Sequence, residues 1–211
     1  MQFVPVENDD PYSDSPWPDK GVLWLQVDPQ LVTRLEATIE EATSEAPIHE
    51  FLERNPVLLA QMLNGGHGRW IFSKPRLGAE HIPDFMLCEK DSAGYHWTLL
   101  ELESPCLSPL TKSGEQCAKL THAIQQVRDW RLWLRKNIQY AQQELGFIDL
   151  CADFGGVVVI GRRRTLNDEH RERYRELSDE KITIMSFDRL LGMVSGAPLA
   201  HNAVSRDVKT R

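Results

Sequence analysis

Residues 83–103 read PDFMLCEKDSAGYHWTLLELE, and how this stretch divides into strands and a turn decides the fold. Lys90 to Gly94 is rich in turn-forming residue types, so His81–Cys88 and Tyr95–Glu103 are expected as a strand hairpin around it. The second run alternates at first and becomes continuously apolar at Thr98, Leu99 and Leu100, as a strand covered on both faces does. It is therefore expected near the centre of a sheet. Alternate residues of a strand share a face, so Glu101 and Glu103 should project together while Leu102 enters the opposite side. Pairing of the hairpin would bring Asp84 alongside them. Three carboxylates within reach of one point repel one another unless a cation is present. A hard divalent ion such as Mg²⁺ or Mn²⁺ takes oxygen ligands, keeps several waters and bridges to phosphate, which suits such a set.

Upstream, Asp28 can cap a helix that Pro29 begins, with Leu31, Leu35 and Ile39 forming its apolar stripe to about Thr43. Pro47 opens a second helix carrying Ile48, Phe51 and Leu52, which Asn55 and Pro56 end before an apolar turn from Val57 to Leu63. The glycines of Asn64–Gly68 break the helical pattern, and Trp70–Phe72 reads as a strand. Downstream, a polar loop with Pro109 and Gly114 leads to the longest helix, expected over Ser113–Glu144. Its core stripe is Ala123, Val127, Trp130, Leu134, Ile138 and Ala141. Gly155–Gly161 is a buried strand, Asp168–Leu177 a charged surface helix, and Lys181–Phe187 a last strand. This order predicts an α/β fold with a mixed central sheet flanked by helices on both faces. Residues 1–27 are expected as an acidic, proline-rich arm with one short strand at Gly21–Gln26, residues 28–194 as the domain, and residues 195–211 as a polar tail.

Composition narrows the function classes. The 211 residues are 41% hydrophobic and 26% charged, and no apolar run approaches the ~20 residues that span a bilayer. The N-terminus has neither the basic nor the apolar region of a secretory signal, which predicts a cytoplasmic protein whose Cys88, Cys106, Cys117 and Cys151 stay reduced. Those cysteines lack the paired spacing of a zinc site, although Cys106, Cys117 and His122 are the set such a site would use. A net charge of −7 opposes simple nucleic-acid binding. Two local clusters, Arg162–Arg164 and the helix-spaced Arg128, Arg131, Arg135 and Lys136, are either phosphate contacts or solvated surface.

PDFML, LLELESP, the KSG loop and the helix segment AIQQVRDW resemble the PD-(D/E)XK nuclease superfamily, and more narrowly the Shedu family of bacterial anti-phage nucleases. IHEFLERNPVLL, GGVVVIGRR and KITIMSFDRLL extend the likeness from about Ile48 to Leu191. The resemblance implies a restriction-endonuclease-like core in which Asp84 and Glu101 bind Mg²⁺ or Mn²⁺ together with the backbone carbonyl of Leu102. Gln126 matches a helix glutamine beside the site, and Glu50 corresponds to a first-helix acid that completes such sites. The motif lysine falls at position 103, where this chain has Glu103. Some restriction endonucleases of the superfamily work with an E-x-E arrangement, in which Glu103 would be a metal ligand or the general base. A cation can also come from Lys112 or from Lys119, which shares a helical stripe with His122 and Gln126.

The function implied is metal-dependent hydrolysis of DNA in anti-phage defence by a cytoplasmic homo-oligomer, with a possible activating partner and no membrane. Trp130 and Trp133 would serve the core or such an interface. The alternative is a catalytically inactive module that keeps the nuclease fold for nucleic-acid binding or assembly. A metabolic α/β enzyme is not supported, because the chain carries neither a Gly-rich phosphate loop nor a nucleophile elbow. His81 reads as a partly buried histidine near the rim or as a phosphate contact.

Overall fold

The computed structural model describes residue 12 and residues 14–24, 27–166, 168–178 and 181–195. The expected tail beyond residue 195, the first eleven residues, and Leu25 and Gln26 of the expected first strand lie outside the described residues.

Five strands form one mixed sheet: β1 (Arg69–Ser73), β2 (Phe85–Asp91), β3 (Gly94–Leu102), β4 (Gly155–Val159) and β5 (Ile182–Met185), in the order β1-β2-β3-β4-β5. The first three are antiparallel, and β3, β4 and β5 run parallel. A short turn joins antiparallel β2 and β3, whereas the parallel half needs helical crossovers. β3 sits at the junction and is central, as its apolar run requires.

Residue parity along β3 divides the core. Trp97 and Leu99 join α4 (Ala118–Gln139), while Leu100 and Leu102 face the opposite layer. That layer contains α1 (Pro29–Glu41), α2 (Ala46–Arg54), α3 (Val57–Ala60) and α6 (Phe187–Val194). A charged helix, α5 (Asp168–Glu176), precedes β5. Asp28 caps α1 as expected, its carboxylate accepting the Gln30 N–H at 2.9 Å. Packing of α4 on β4 depends on Gly156, where an added Cβ would stand 2.7 Å from Val127 Cγ1 and 3.3 Å from the Lys181 carbonyl.

Several boundaries differ from the sequence expectation. Helix α4 starts at Ala118, not Ser113, because Thr111–Glu115 closes a turn through the Thr111 N–H donating to Glu115 O at 2.8 Å. Cys117 caps it, with Sγ accepting the Leu120 N–H at 3.4 Å. Asn137 leaves helical geometry at φ −127° and ψ 25°, and a π-helical turn follows over Tyr140–Glu144. The phase shift exposes Ile138, while the other five residues of its expected stripe are buried. β5 ends at Met185, and Ser186 caps α6 where the strand was expected to continue to Phe187.

The arm is structured where it is described. Over residues 21–24, the described part of the expected strand, Gly21 makes one isolated bridge to Trp70 and no strand forms. Trp17 lies edge-on to Trp70, Phe72, Tyr95 and Trp97 at 5.3–5.8 Å, and its indole N–H donates to Gly146 O. Trp130 is buried in the core, and Trp133 packs partly buried against it.

The basic clusters divide between interior and surface. Arg131 is buried and donates to the carbonyls of Phe154 and Lys181. Arg162 is buried between Glu40 at 2.5 Å and Asp188 at 3.0 Å, and Arg164 also reaches Glu40. These arginines tie α1 and α6 to the end of β4, while Arg128, Arg135, Lys136 and Arg163 remain exposed. All four cysteines are free thiols.

Candidate active site

The β2–β3 ladder ends at Phe85 opposite Leu100. One further step of this register sets Asp84 across from Glu101, and another sets Pro83 across from Leu102. Proline has no N–H, so Pro83 offers the Leu102 carbonyl no ladder donor. The Leu102 N–H is satisfied differently, donating to Asp84 Oδ2 at 2.8 Å. N–H and C=O of a strand residue point to the same edge, so the Leu102 carbonyl also faces the Asp84 side. The strand expected from His81 thus begins only at Phe85, and Asp84 stands just outside it as a bend.

Parity turns Glu101 under α4. Its carboxylate is buried, and Oε2 has no hydrogen-bond partner. Burial and the adjacent Asp84 charge push its pKa up to about 8, against the Gln126 amide and the Asp84 backbone N–H, which favour the ionised form. Asp84 is also raised by burial, partly offset by the Leu102 N–H and by the positive side of His49 and Lys74. An unpartnered buried carboxylate oxygen beside a second carboxylate is unfavourable without a cation.

Glu103 diverges from this pair. Its backbone N–H donates to Val159 O at 2.8 Å, and its buried carboxylate lies 3.8 Å from Lys119 Nζ. Burial raises its pKa, with Lys119 opposing. Among the described residues, no three His, Cys, Asp or Glu side chains form a ready-made metal cage, so the expected convergence of three carboxylates resolves into a pair and a neighbour. Two carboxylates, one carbonyl and waters still fit an ion such as Mg²⁺ that keeps much of its hydration.

Gln126 bears on Glu101, while Lys119 and His122 bear on Glu103 from the same α4 stripe. Glu50 is not brought to the cluster. It is exposed and pairs with Arg54 at 2.5 Å. Ile48 is buried, and two residues rotate a helix by about 200°, so Glu50 falls on the opposite side. The acid from this region that bears on Asp84 and Glu103 is Glu45, just before α2. Ser104 Oγ donating to Thr43 O at 3.0 Å holds that loop against the segment after Glu103. Sequence reasoning also missed His49, whose ring stacks on Phe85 at 4.5 Å with Nε2 3.3 Å from Asp84 O. This contact needs the proton on Nε2. The one-residue offset from Ile48 on the helix was the available signal. His81 is partly buried and its backbone carbonyl accepts the Leu77 N–H, while Lys112 lies on the exposed turn before α4.

Residues 42–191 match the family described as Shedu protein SduA, C-terminal. The chain belongs to the Shedu family. The matched span includes every residue of the Shedu rim described above, from Glu45 to Gln126. Among solved structures, the restriction endonuclease FokI bound to DNA is similar, with 10% identity and a TM-score of 0.36. That likeness covers 82% of this chain and 32% of FokI, so the chain spans about a third of that protein's length. No curated protein matches the sequence. No helix among the described residues is long and apolar enough to cross a membrane.

Proposed function

We propose that this Shedu chain is a metal-dependent endonuclease that hydrolyses DNA phosphodiester bonds in defence against phage. The observation that carries this reading is the buried, unpartnered Glu101 Oε2 beside Asp84 at the end of the β2–β3 ladder. Asp84, Glu101 and the Leu102 carbonyl would hold Mg²⁺ or Mn²⁺, which supplies Lewis-acid stabilisation of charge on the phosphate. Asp84 is held in place by the Leu102 N–H and the His49 contact, and Gln126 bears on Glu101. Burial beneath α4 limits water around Glu101, so a bound cation would meet its carboxylate with little screening. A homo-oligomer and an activating partner belong to the same proposal, as does action in the cytoplasm.

Cleavage of linear, supercoiled and single-stranded DNA with Mg²⁺ or Mn²⁺, in the native chain and in Asp84→Ala and Glu101→Gln, tests this reading. Metal-dependent cutting lost in both variants is the expected outcome. Glu103 at the motif lysine position favours the second reading, an inactive nuclease-fold module. DNA binding by a folded native protein without metal binding or cutting would support that module.

A further inference from the structure

Resting on the nuclease reading above, we propose that Lys119 supplies the cation missing from position 103, and that Glu103 is its positioning residue and not a metal ligand. The Glu103 carboxylate lies 3.8 Å from Lys119 Nζ. The Glu103 side chain is 7% exposed and that of Lys119 is 62% exposed, so a fixed buried anion meets an ammonium on a largely solvated stem. Such an ammonium can keep contact with the carboxylate while presenting another N–H to an arriving phosphate.

The backbone holds this pair at the rim. Glu103 N–H donates to Val159 O, and Gly161 N–H donates to Ser104 O at 3.2 Å. Gly161 has φ +66°, and a Cβ there would stand 2.2 Å from Leu107 O, so the close loop packing requires glycine. On α4, Lys119 and Gln126 are two turns apart on one stripe, serving Glu103 and Glu101 respectively. Lys112 is on the exposed turn before α4. Lys74 bears on Asp84 from the β1 side of the sheet.

Hydrolysis forms a bond from the water oxygen to phosphorus as one P–O ester bond breaks. The ester oxygen leaves with that bond's electron pair and takes a proton, and the second water proton stays on the new phosphate or passes to solvent. Lys119 undergoes no covalent change. Its ammonium would orient water and neutralise phosphate charge, a role a lysine on the strand could fill equally well.

The experiment compares DNA cleavage and Mn²⁺ affinity in the native chain, Lys119→Ala, Glu103→Gln, Glu101→Gln and the double variant Glu103→Lys/Lys119→Ala, each checked for folding by circular dichroism. Lys119→Ala is expected to lose about 100-fold in cleavage rate, with much of that loss recovered in the double variant. Glu103→Gln should retain Mn²⁺ affinity within about twofold, while Glu101→Gln loses more than about tenfold. Native-like cutting by Lys119→Ala, a folded double variant that stays inactive, or loss of Mn²⁺ affinity in Glu103→Gln equal to that in Glu101→Gln overturns the assignment. A folded native chain that neither binds Mn²⁺ nor cuts overturns the nuclease reading itself, and this assignment with it.

Discussion

Asp84 takes the Leu102 backbone N–H at 2.8 Å in the register position where Pro83 has no N–H to continue the ladder. The same side chain therefore closes the sheet and builds one wall of the candidate site. Asp84→Asn keeps an acceptor for Leu102, whereas Asp84→Ala leaves that N–H unpaired. Chemical denaturation should show Asp84→Ala less stable than Asp84→Asn by about 1–2 kcal/mol, with both variants impaired in Mn²⁺ binding.

Glu101 makes the metal-free protein lose stability as pH rises from about 4.5 to about 8. Its folded pKa is raised from 4.5 to about 8, so the folded state holds a proton that the unfolded chain releases. The associated stability is fully present below about pH 4.5 and is lost as pH rises through about 8, on the order of 3–5 kcal/mol in all. Denaturation midpoints in chelator should fall across this window in the native chain. Glu101→Gln should remove most of that fall, and Mg²⁺ should reduce it in the native chain alone.

Arg162 is a structural tie, unlike a solvated basic surface. Removing it in Arg162→Ala leaves the half-buried Asp188 without its guanidinium, at a cost of about 2–3 kcal/mol at neutral pH. Burial pushes Asp188 up, but its bonds from Arg162 and the Arg163 N–H more than offset this and hold its pKa below the usual carboxylate range. Stability from this contact is present above about pH 4 and is lost as pH falls through the lowered pKa. Acid denaturation curves of native and Arg162→Ala proteins should therefore converge at low pH.

The arm contributes to the core through Trp17. Trp17→Ala removes four edge contacts and the indole bond to Gly146, and should destabilise the fold by about 3 kcal/mol in urea. Indistinguishable denaturation curves would show that the arm does not contribute.

Strand parity made much of this arrangement legible in advance. The run through Leu99 and Leu100 identified the central strand, pairing of the hairpin anticipated Asp84 beside Glu101, and the family resemblance implied Gln126 next to them. What sequence periodicity did not reveal was where regular elements stop. Asn137 breaks the phase that would have buried Ile138, and Ser186 starts a helix where an apolar strand pattern continues. Glu50 was expected at the rim because it is the acid in the matching motif, yet its helix phase opposes Ile48 and sends it to Arg54. Glu45 and His49 reach the site through a loop latch and an aromatic stack, contacts between distant segments that local sequence does not encode.

The most direct measurement is Mn²⁺ binding near neutral pH by electron paramagnetic resonance, comparing the native chain with Glu101→Gln while confirming that both are folded. A paired-carboxylate metal centre requires saturable binding in the native chain, weakened by more than about tenfold in the variant. Equal binding by the two folded proteins, or no binding by either, would contradict the assignment of Asp84 and Glu101 as the metal centre.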